Sequence, residues 1–395
     1  MKVADRYYIR EMNENLVLEI IIQQGTISRA DISKLCGLNK ATVSSIVTNL
    51  LEKELVKEIG IGESSGGRKP IMVTFNEKAA LSLSIDLGDN YISSILTYLD
   101  GTIILQKNID DITINKRTVM KELKELITYY LEQAPHTTYG VIGICIGIHG
   151  IVNDNQITFA PYYNFEGLNL VENLERVFAI PVRLENEANL SALGEKIFST
   201  NASNFVSISV HTGVGAGIII NDELFRGSKG YGGEIGHMIV IPNGRKCPCG
   251  NKGCIEQYAS EKRLLEVYRK KKGQKQLTFE QLIYNYKNNE QEALDIVNTF
   301  IDYISISVNN IFTAFDPDVF ILNSRFTSNI DGLIDSIKDK ITNKMNSDTI
   351  LQSSSLREKA TLLGGVHVNS TSFLDIKHFT FQNMSGDKHH LENPN

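Results

Sequence analysis

The chain has 395 residues, of which 42% are hydrophobic and 22% charged, and its net charge is −6. This length exceeds what one domain normally holds, and the composition is that of a folded globular protein rather than a disordered one. The negative charge excludes a protein that coats nucleic acid along its whole length. Residues 1–75 are nearly balanced, with 10 Lys and Arg against 9 Asp and Glu, so DNA contact is expected there if anywhere.

Neither a targeting signal nor a membrane span is apparent in the sequence. The first 15 residues are polar and lack the apolar stretch of a signal peptide, and no run of 18 apolar residues follows. Three of the five cysteines cluster at positions 247, 249 and 254. In a chain without an export signal, this clustering favours reduced thiols and a metal over disulfides. We therefore expect a cytoplasmic protein with no membrane partner.

Three helices are predicted at the N-terminus. Apolar residues at 16, 17, 20 and 21 share one face of the first helix, which ends near Gly25. Ser28, with Asp31 three residues later, has the spacing of a capping box and begins the second helix. Asn39 caps the third helix, whose apolar side chains recur at helical spacing: Val43, Ile46, Val47, Leu50 and Leu51.

The polar face of the third helix carries Lys40, Thr42, Ser45 and Asn49. Small polar and basic groups near a helix N-terminus can approach a duplex closely and donate to phosphates and base edges. This face is therefore the predicted recognition surface.

Two short β-runs, residues 55–59 and 71–75, follow the third helix. They are joined by a Gly/Ser-rich segment that suits a wing reaching a minor groove. Helix, turn, helix and basic wing in this order predict a winged helix-turn-helix over residues 1–76; the alternative is a small helical oligomerisation domain. The expected DNA contacts are Ser28, Arg29, Asn39, Lys40, Thr42, Ser45, Arg68 and Lys69.

Strands alternate with helices beyond residue 76, which predicts an α/β body. A Gly-rich turn at 213–217 is predicted to join two strands of its second half, 205–210 and 218–221. The remaining predicted elements are strands at 81–87, 91–99, 102–108 and 140–148, and a helix over 117–133.

A metal site is predicted from Cys247, Cys249 and Cys254, which form a C-x-C-x4-C pattern, with His237 ten residues before the first. Three thiolates and one imidazole fill the tetrahedral shell of a structural Zn²⁺, which leaves no open position for catalysis. The alternative is three unligated thiols on a loop.

Three consecutive motifs carry a resemblance to a known family. They are Thr212-Gly-Val-Gly-Ala-Gly217, Gly230-Tyr-Gly-Gly-Glu-Ile-Gly-His237 and Cys247-Pro-Cys-Gly-Asn-Lys-Gly-Cys-Ile-Glu256. Their order and spacing resemble the ROK (repressor, open reading frame, kinase) family, and residues 13–76 resemble the DNA-binding heads of its repressors. The resemblance implies a two-lobed, actin-like body of the sugar-kinase type. It also implies the same four zinc ligands.

A sugar site needs several convergent hydrogen-bonding groups held on rigid turns. Taken singly, each candidate carboxylate is more often a solvated surface group. The family's sugar contacts fall on Asn186, Glu187, Glu234, His237 and Glu256, and His237 would bind zinc through one ring nitrogen and a sugar hydroxyl through the other. His149 and Gly150 stand where family members often have Pro-Gly, which adds them to the predicted sugar-binding residues.

Phosphotransfer is predicted to be lost. Active kinases of the family have a D-x-G-G-T phosphate loop, whereas this chain reads Asp86-Leu-Gly-Asp89-Asn90. A carboxylate at 89 repels phosphates, and its side chain blocks the close approach that Gly permits. The family's catalytic Asp is replaced by Glu187, whose extra methylene displaces the base. We expect binding without catalysis; an active sugar kinase with a DNA-binding head is the alternative.

The resemblance implies a repressor that binds operator DNA of xylose-utilisation genes and is released by D-xylose or a related monosaccharide. Five polar side chains do not distinguish a pentose from a hexose, so glucose and N-acetylglucosamine stay open as inducers. A homodimer is expected, because one small head per chain gains affinity on a two-fold operator.

Four segments are predicted along the chain. Residues 1–76 form the DNA-binding domain. A first lobe over 77–187 is completed by part of 360–380. The second lobe, 188–360, carries the zinc loop and the dimer surface, and 381–395 form a flexible tail.

Overall fold

The computed structural model describes residues 6–61, 70–163, 165, 167–344 and 349–376. Arg68, Lys69 and the predicted tail, 381–395, lie outside the described residues. Within the described part of the chain, no helix is long and apolar enough to cross a membrane.

The N-terminal domain is the predicted winged helix-turn-helix. Its three strands form one sheet in the order β1-β3-β2. Strand β1 was not predicted; it is only three residues long and pairs antiparallel with β3. The elements are α1 (Arg6–Gln24), β1 (Thr26–Ser28), α2 (Arg29–Cys36), α3 (Lys40–Glu52), β2 (Val56–Ile61) and β3 (Ile71–Phe75).

The two predicted helix caps are present. The Ser28 hydroxyl accepts a hydrogen bond from the backbone N–H of Asp31 at 3.2 Å and begins α2. The Asn39 side-chain oxygen accepts from the N–H of Thr42 at 2.8 Å and begins α3. Each cap satisfies a backbone donor that the first turn leaves without a partner. Both helices therefore begin where the sequence predicts.

The first sheet of the body has the order β10-β7-β4-β5-β6. Strands β4, β7 and β10 run parallel, β5 pairs antiparallel with β4, and β6 pairs antiparallel with β5. The hairpin β8-β9 lies beside it. The elements are β4 (Leu81–Leu87), β5 (Ile92–Tyr98), β6 (Ile103–Ile109), α4 (Val119–Gln133), β7 (Val141–Ile148), β8 (Ile151–Asn153), β9 (Gln156–Phe159), α5 (Leu170–Phe178) and β10 (Val182–Asn186), with a 3-10 helix at Glu77–Ala79.

The second sheet repeats this topology in the order β13-β12-β11-β14-β15. Its β11, β14 and β15 are parallel, β12 pairs antiparallel with β11, and β13 pairs antiparallel with β12. Its elements are α6 (Glu187–Phe198), β11 (Phe205–Val210), β12 (Val214–Ile220), β13 (Glu223–Leu224), α7 (Glu256–Ala259), α8 (Glu261–Lys272), α9 (Phe279–Lys287), α10 (Gln291–Phe315), β14 (Val319–Ser324), α11 (Arg325–Asn329), α12 (Leu333–Lys340), β15 (Ile350–Ser353) and α13 (Lys359–Leu374), with a 3-10 helix at Ile235–His237.

The prediction of a Gly-rich turn at 213–217 was wrong for most of the segment. Strand β12 already begins at Val214, and Gly215 and Gly217 pair with residues of β11. A Cβ at Gly217 would lie 2.3 Å from the Cβ of Ala192 on α6. These glycines therefore allow a helix to pack directly on the strand, rather than turning the chain.

Helices α6 and α13 each cross to the opposite sheet. Helix α6 follows β10 of the first sheet but packs on β11 and β12, and α13 follows β15 of the second sheet but packs on β4 and β7. A Cβ at Gly194 of α6 would lie 2.1 Å from the carbonyl oxygen of Ala360, and one at Gly364 of α13 would lie 1.9 Å from that of Leu190. The helix pair thus joins the two lobes through backbone contact.

The DNA-binding domain shares its hydrophobic core with the body. Leu99, Leu374 and Ile376 are buried in the same cluster as the apolar faces of α1 and α3. The side-chain amide of Asn15 donates to the backbone oxygen of Asp375 at 2.8 Å. Burial of apolar surface is the main favourable term in such contacts. The head is therefore anchored on the first lobe and on the C-terminal end of α13.

Candidate functional site

A small cleft, with about 50 Å³ of enclosed space, lies between the lobes. It is built at the carboxyl ends of the strands β7, β10 and β11, where open α/β sheets bind ligands. All seven residues predicted to bind sugar line it: His149, Gly150, Asn186, Glu187, Glu234, His237 and Glu256.

Asn186 and Glu187 lie where β10 passes into α6. The oxygen of Asn186 caps α6 by accepting from the N–H of Asn189 at 3.0 Å, and its amide nitrogen donates to the carbonyl of Gly150 at 2.8 Å. Glu187 is buried, and one carboxylate oxygen accepts from Ser209 Oγ at 2.6 Å. The same oxygen accepts from Thr361 Oγ1 at 3.1 Å. A ligand in the cleft would therefore meet a carboxylate that is already hydrogen-bonded to β11 and to α13.

Glu234 and Glu256 approach the cleft from the second lobe. Gly233 has a φ of +85°, and a Cβ there would lie 1.8 Å from the carbonyl oxygen of Ala216, so only glycine lets this loop lie flat on β12. Burial, and then the negative charge of Glu256, raise the pKa of Glu234 to about 7. Glu256 Oε2 accepts weakly from the N–H of Val214 at 3.4 Å. The pair offers both charged and protonated oxygen atoms to polar ligand groups.

His149 belongs to a buried triangle with Asp86 and Tyr91. Its Nε2 lies 3.1 Å from Asp86 Oδ1 and 3.0 Å from the Tyr91 hydroxyl, which in turn donates to Asp86 Oδ2 at 2.9 Å. Burial acts to lower the pKa of His149, but the charge of Asp86 and its hydrogen bond outweigh burial and raise this pKa to about 9. His149 thus brings a positive charge to the cleft at neutral pH.

The four predicted metal ligands come together. One ligand atom from each of His237, Cys247, Cys249 and Cys254 lies within 4.8 Å of the others. The sulfurs of Cys249 and Cys254 are 3.7 Å apart, close to the roughly 3.8 Å that a tetrahedron with Zn–S bonds of about 2.3 Å requires. His237 Nδ1 lies 3.5 Å from Cys247 Sγ. The residues therefore fit a closed four-ligand metal site.

The second ring nitrogen of His237 faces the cleft. Its Nε2 lies 3.7 Å from Glu234 Oε2. One imidazole can therefore join the metal cluster through Nδ1 and a cleft ligand through Nε2.

The segment predicted to be an altered phosphate loop, residues 86–90, is surrounded by protein contacts. Asp89 reaches across the cleft to Lys262 of α8, whose Nζ donates to it at 2.5 Å. Thr212 Oγ1 lies 3.5 Å from the same carboxylate. At Gly88, a Cβ would lie 2.2 Å from the Tyr91 ring, so this ring covers the backbone. Asp89, its ion pair with Lys262 and the Tyr91 ring thus surround the backbone of this segment.

Four of the six predicted DNA-contacting residues that the structure describes lie at the surface of α3 or at its N-terminus. Asn39, Lys40 and Ser45 are exposed, and Thr42 is half-buried. Arg29 pairs with Glu58 of β2 at 3.3 Å.

Two polar side chains of the head are placed otherwise than expected. Ser28 is only 2% exposed, and its hydroxyl also donates to Asp31 Oδ2 at 2.7 Å, so its side chain serves as a cap instead of facing a duplex. Asn49, expected on the recognition face, donates to Glu14 of α1 at 2.7 Å.

Four residues at the site were missed by sequence reasoning. Tyr162 and His211 line the cleft. His211 directly follows strand β11, a position that the rule on strand carboxyl ends could have singled out. Lys262 and Thr361 carry no local signal, because their partners lie 173 and 174 positions away.

Comparison with known proteins defines the class. A profile described as winged helix-turn-helix DNA-binding matches residues 13–57, and the ROK family profile matches residues 82–370. The protein is thus a sugar-kinase-like body that carries a DNA-binding head. The chain belongs to the ROK family.

Relatives match over most of the chain. The xylose repressor of Bacillus spizizenii is 40% identical over 385 residues, covering 95% of this chain and 99% of that protein. A solved ROK family transcriptional regulator, a homologue of the Escherichia coli MLC protein, has a TM-score of 0.77 at 27% identity, over 93% of this chain and 97% of that one. A ROK glucokinase from Streptomyces griseus, solved with glucose and AMPPNP, shares the body fold at a TM-score of 0.66 and 23% identity, over 73% and 98%.

The raised pKa of His149 predicts a pH-dependent stability. The unfolded pKa is about 6.5, so protonated His149 stabilises the fold fully below that pH, and the contribution is lost as pH rises through about 9. We expect the melting temperature to fall between these pH values, and to fall less in His149→Gln. The exposed His136→Gln is the control and should follow the unmodified protein. Equal slopes for all three proteins would contradict this role of His149.

Proposed function

We propose that this protein is a transcriptional repressor that binds operator DNA of xylose-utilisation genes and releases it when D-xylose occupies the cleft. The observation that carries the proposal is that a xylose repressor matches this chain across both the DNA-binding head and the cleft-bearing body. The polar lining supports a neutral, hydroxyl-rich ligand, because carboxylates, imidazoles and an amide converge on one small volume. Such a regulator acts in the cytoplasm, where the operator is.

In this proposal the sugar is held by Asn186, Glu187, Glu234, His237 and Glu256, with His149 and Gly150 at the first-lobe side. The DNA is held by exposed groups of α3 and its N-terminus, together with Arg29, Arg68 and Lys69. Glucose or N-acetylglucosamine is the alternative inducer, since the same side chains can bond either a pentose or a hexose.

We propose that release follows closure of the first lobe, residues 77–187 with part of 360–380, on the second lobe, 188–360. The active form would be a homodimer joined through the body, with two heads on a two-fold operator. Closure must change the spacing of the heads, and D-xylose must bind the closed arrangement more tightly. A ligand with equal affinity for both arrangements would shift nothing.

Operator titration tests this proposal. The DNA probe is a duplex that the sugar-free protein selects from a random library. D-xylose, glucose and N-acetylglucosamine are each added to test whether they release the bound DNA. We expect saturating D-xylose to weaken DNA binding at least about tenfold, within the usual range of allosteric coupling.

Glu234→Gln should reduce that release, because it removes a carboxylate from the cleft lining. The exposed Glu223→Gln on β13 is the matched control and should respond as the unmodified protein does. If D-xylose at saturation leaves DNA binding unchanged, the proposed inducer is wrong.

We propose that the body has no sugar-kinase activity. The Asp89–Lys262 ion pair supports this, because a phosphate would have to displace it and then face the Asp89 charge. Glu187 stands where the family's active kinases have Asp, and its extra methylene displaces the carboxylate from the position of the base.

Sugar-dependent ADP release is the measurement for this absence of catalysis. We expect none with D-xylose, glucose or N-acetylglucosamine and ATP, with the Streptomyces griseus glucokinase as the positive control on glucose. Turnover by the unmodified protein above the sugar-free rate would support the alternative, an active kinase with a DNA-binding head.

We propose that His237, Cys247, Cys249 and Cys254 hold one structural Zn²⁺ per chain. The bound ion would supply cross-linking of the 237–256 loop, not chemistry, because four protein ligands leave no open position. The loop would then hold Glu234 and Glu256 at the cleft.

Elemental analysis of purified protein should find about one zinc per chain. Cys249→Ser should lose most of it and weaken D-xylose binding, since three ligands remain and the loop is loosened. Cys36→Ser, in the DNA-binding head, is the control and should keep the metal. A metal-free unmodified protein, or equal loss in both variants, would exclude this site.

A further inference from the structure

Thr361 links the cleft to helix α13. Its hydroxyl donates to Glu187 Oε1 at 3.1 Å, and both residues are buried. Thr361 itself does not line the cleft, whereas its partner Glu187 does. A charge-assisted hydrogen bond in a buried setting is among the stronger polar contacts, and it fixes the two groups in one geometry.

Ser209 of β11 donates to the same Glu187 oxygen from the other side at 2.6 Å. One carboxylate therefore joins three elements, α6, β11 and α13. If a ligand draws Glu187 toward the cleft, these two hydroxyls have to follow or lose a bond.

Helix α13 is tightly held along the path to the head. Its Gly364 touches the backbone of α6, with a hypothetical Cβ 1.9 Å from the carbonyl oxygen of Leu190. Farther along, the Asn369 amide donates to the carbonyls of Leu83 and Gly143, each at 3.1 Å. The helix has 16 residues and is about 24 Å long, so it spans the first lobe as one rigid element.

The C-terminal end of α13 packs in the hydrophobic core of the DNA-binding head. Leu374 and Ile376 lie in the hydrophobic cluster formed by α1 and α3. The Asn15 amide of α1 donates to the carbonyl of Asp375 at 2.8 Å. A shift of α13 therefore displaces groups packed on the recognition helix.

We propose that Thr361 is the positioning residue that transmits ligand binding at Glu187 to the DNA-binding head through α13. This inference rests on the proposed function and adds the route by which sugar and operator affect each other. Glu187, which stands at the position of a kinase base, acts here as the sensing group. Its side chain can reach the ligand with one oxygen while the other reports the change to Thr361.

The test compares Thr361→Val with Thr371→Val. Both substitutions are on α13 and remove one hydroxyl with little change of shape, but Thr371 bonds only its own helix, to His367 O at 2.8 Å and Val368 O at 3.3 Å. For each protein, DNA affinity is measured with and without saturating D-xylose, and D-xylose affinity is measured by calorimetry. The quantity of interest is the ratio of the two DNA affinities, which defines the coupling between the sites.

We expect Thr361→Val to reduce this ratio about tenfold, the size of effect that loss of one hydrogen bond to a charged group produces. Thr371→Val should keep the ratio, and Thr361→Ser, which restores the hydroxyl, should recover it. Asn15→Ala removes the hydrogen bond to Asp375 at the other end of α13, on a partly exposed surface. This variant should also lower the ratio, and it tests the route even if Thr361→Val does not fold.

Ratios within twofold of the unmodified protein for both Thr361→Val and Asn15→Ala would overturn the proposed route while leaving the repressor function intact. An unmodified protein whose DNA affinity ignores D-xylose would instead refute the function and, with it, this inference.

Discussion

The close approach of α6 and α13 is the constraint on which the arrangement of this molecule depends. Each helix begins at the end of one sheet and covers the other, so the lobes are held by two exchanged elements. Side chains at Gly194 and Gly364 would collide with main-chain oxygens of the partner helix. Because close-packed interiors do not deform continuously, a displaced helix has to carry its partner with it or change the angle between the lobes.

The cleft keeps the layout of a kinase while its carboxylates bond protein groups. Asp89 is paired with Lys262, Asp86 with His149 and Tyr91, and Glu187 with two hydroxyls. Buried charges persist in proteins when they are paired or hydrogen-bonded. The same contacts hold residues of the two lobes and of α13 in a defined relation.

Sequence patterns predicted the parts of the structure that local physics determines. The caps at Ser28 and Asn39, the apolar spacing of α3 and the strands β4 to β7 follow from short-range rules, and the structure has them. The clustering of the four metal-binding side chains followed from their spacing and from the family resemblance.

Contacts between residues far apart in the chain could not be predicted from the sequence. The Thr361–Glu187 and Lys262–Asp89 contacts join residues more than 170 positions apart, and no periodicity records them. The turn predicted at 213–217 was wrong for a related reason. The glycines there are needed because a helix packs directly on the strand, and this packing cannot be predicted from local sequence. Ser28 shows the converse, since its side chain is buried in the local role of a helix cap.

The hydrophobic core that the head shares with Leu99, Leu374 and Ile376 bears on how such regulators can be recombined. If the DNA-binding head were separated from the body at residue 76, the apolar side chains that pack between them would be exposed on both parts. A different DNA-binding head would therefore pack on this body only if the C-terminal end of α13 were transplanted with it. Operator specificity and effector specificity are thus inherited together more readily than separately.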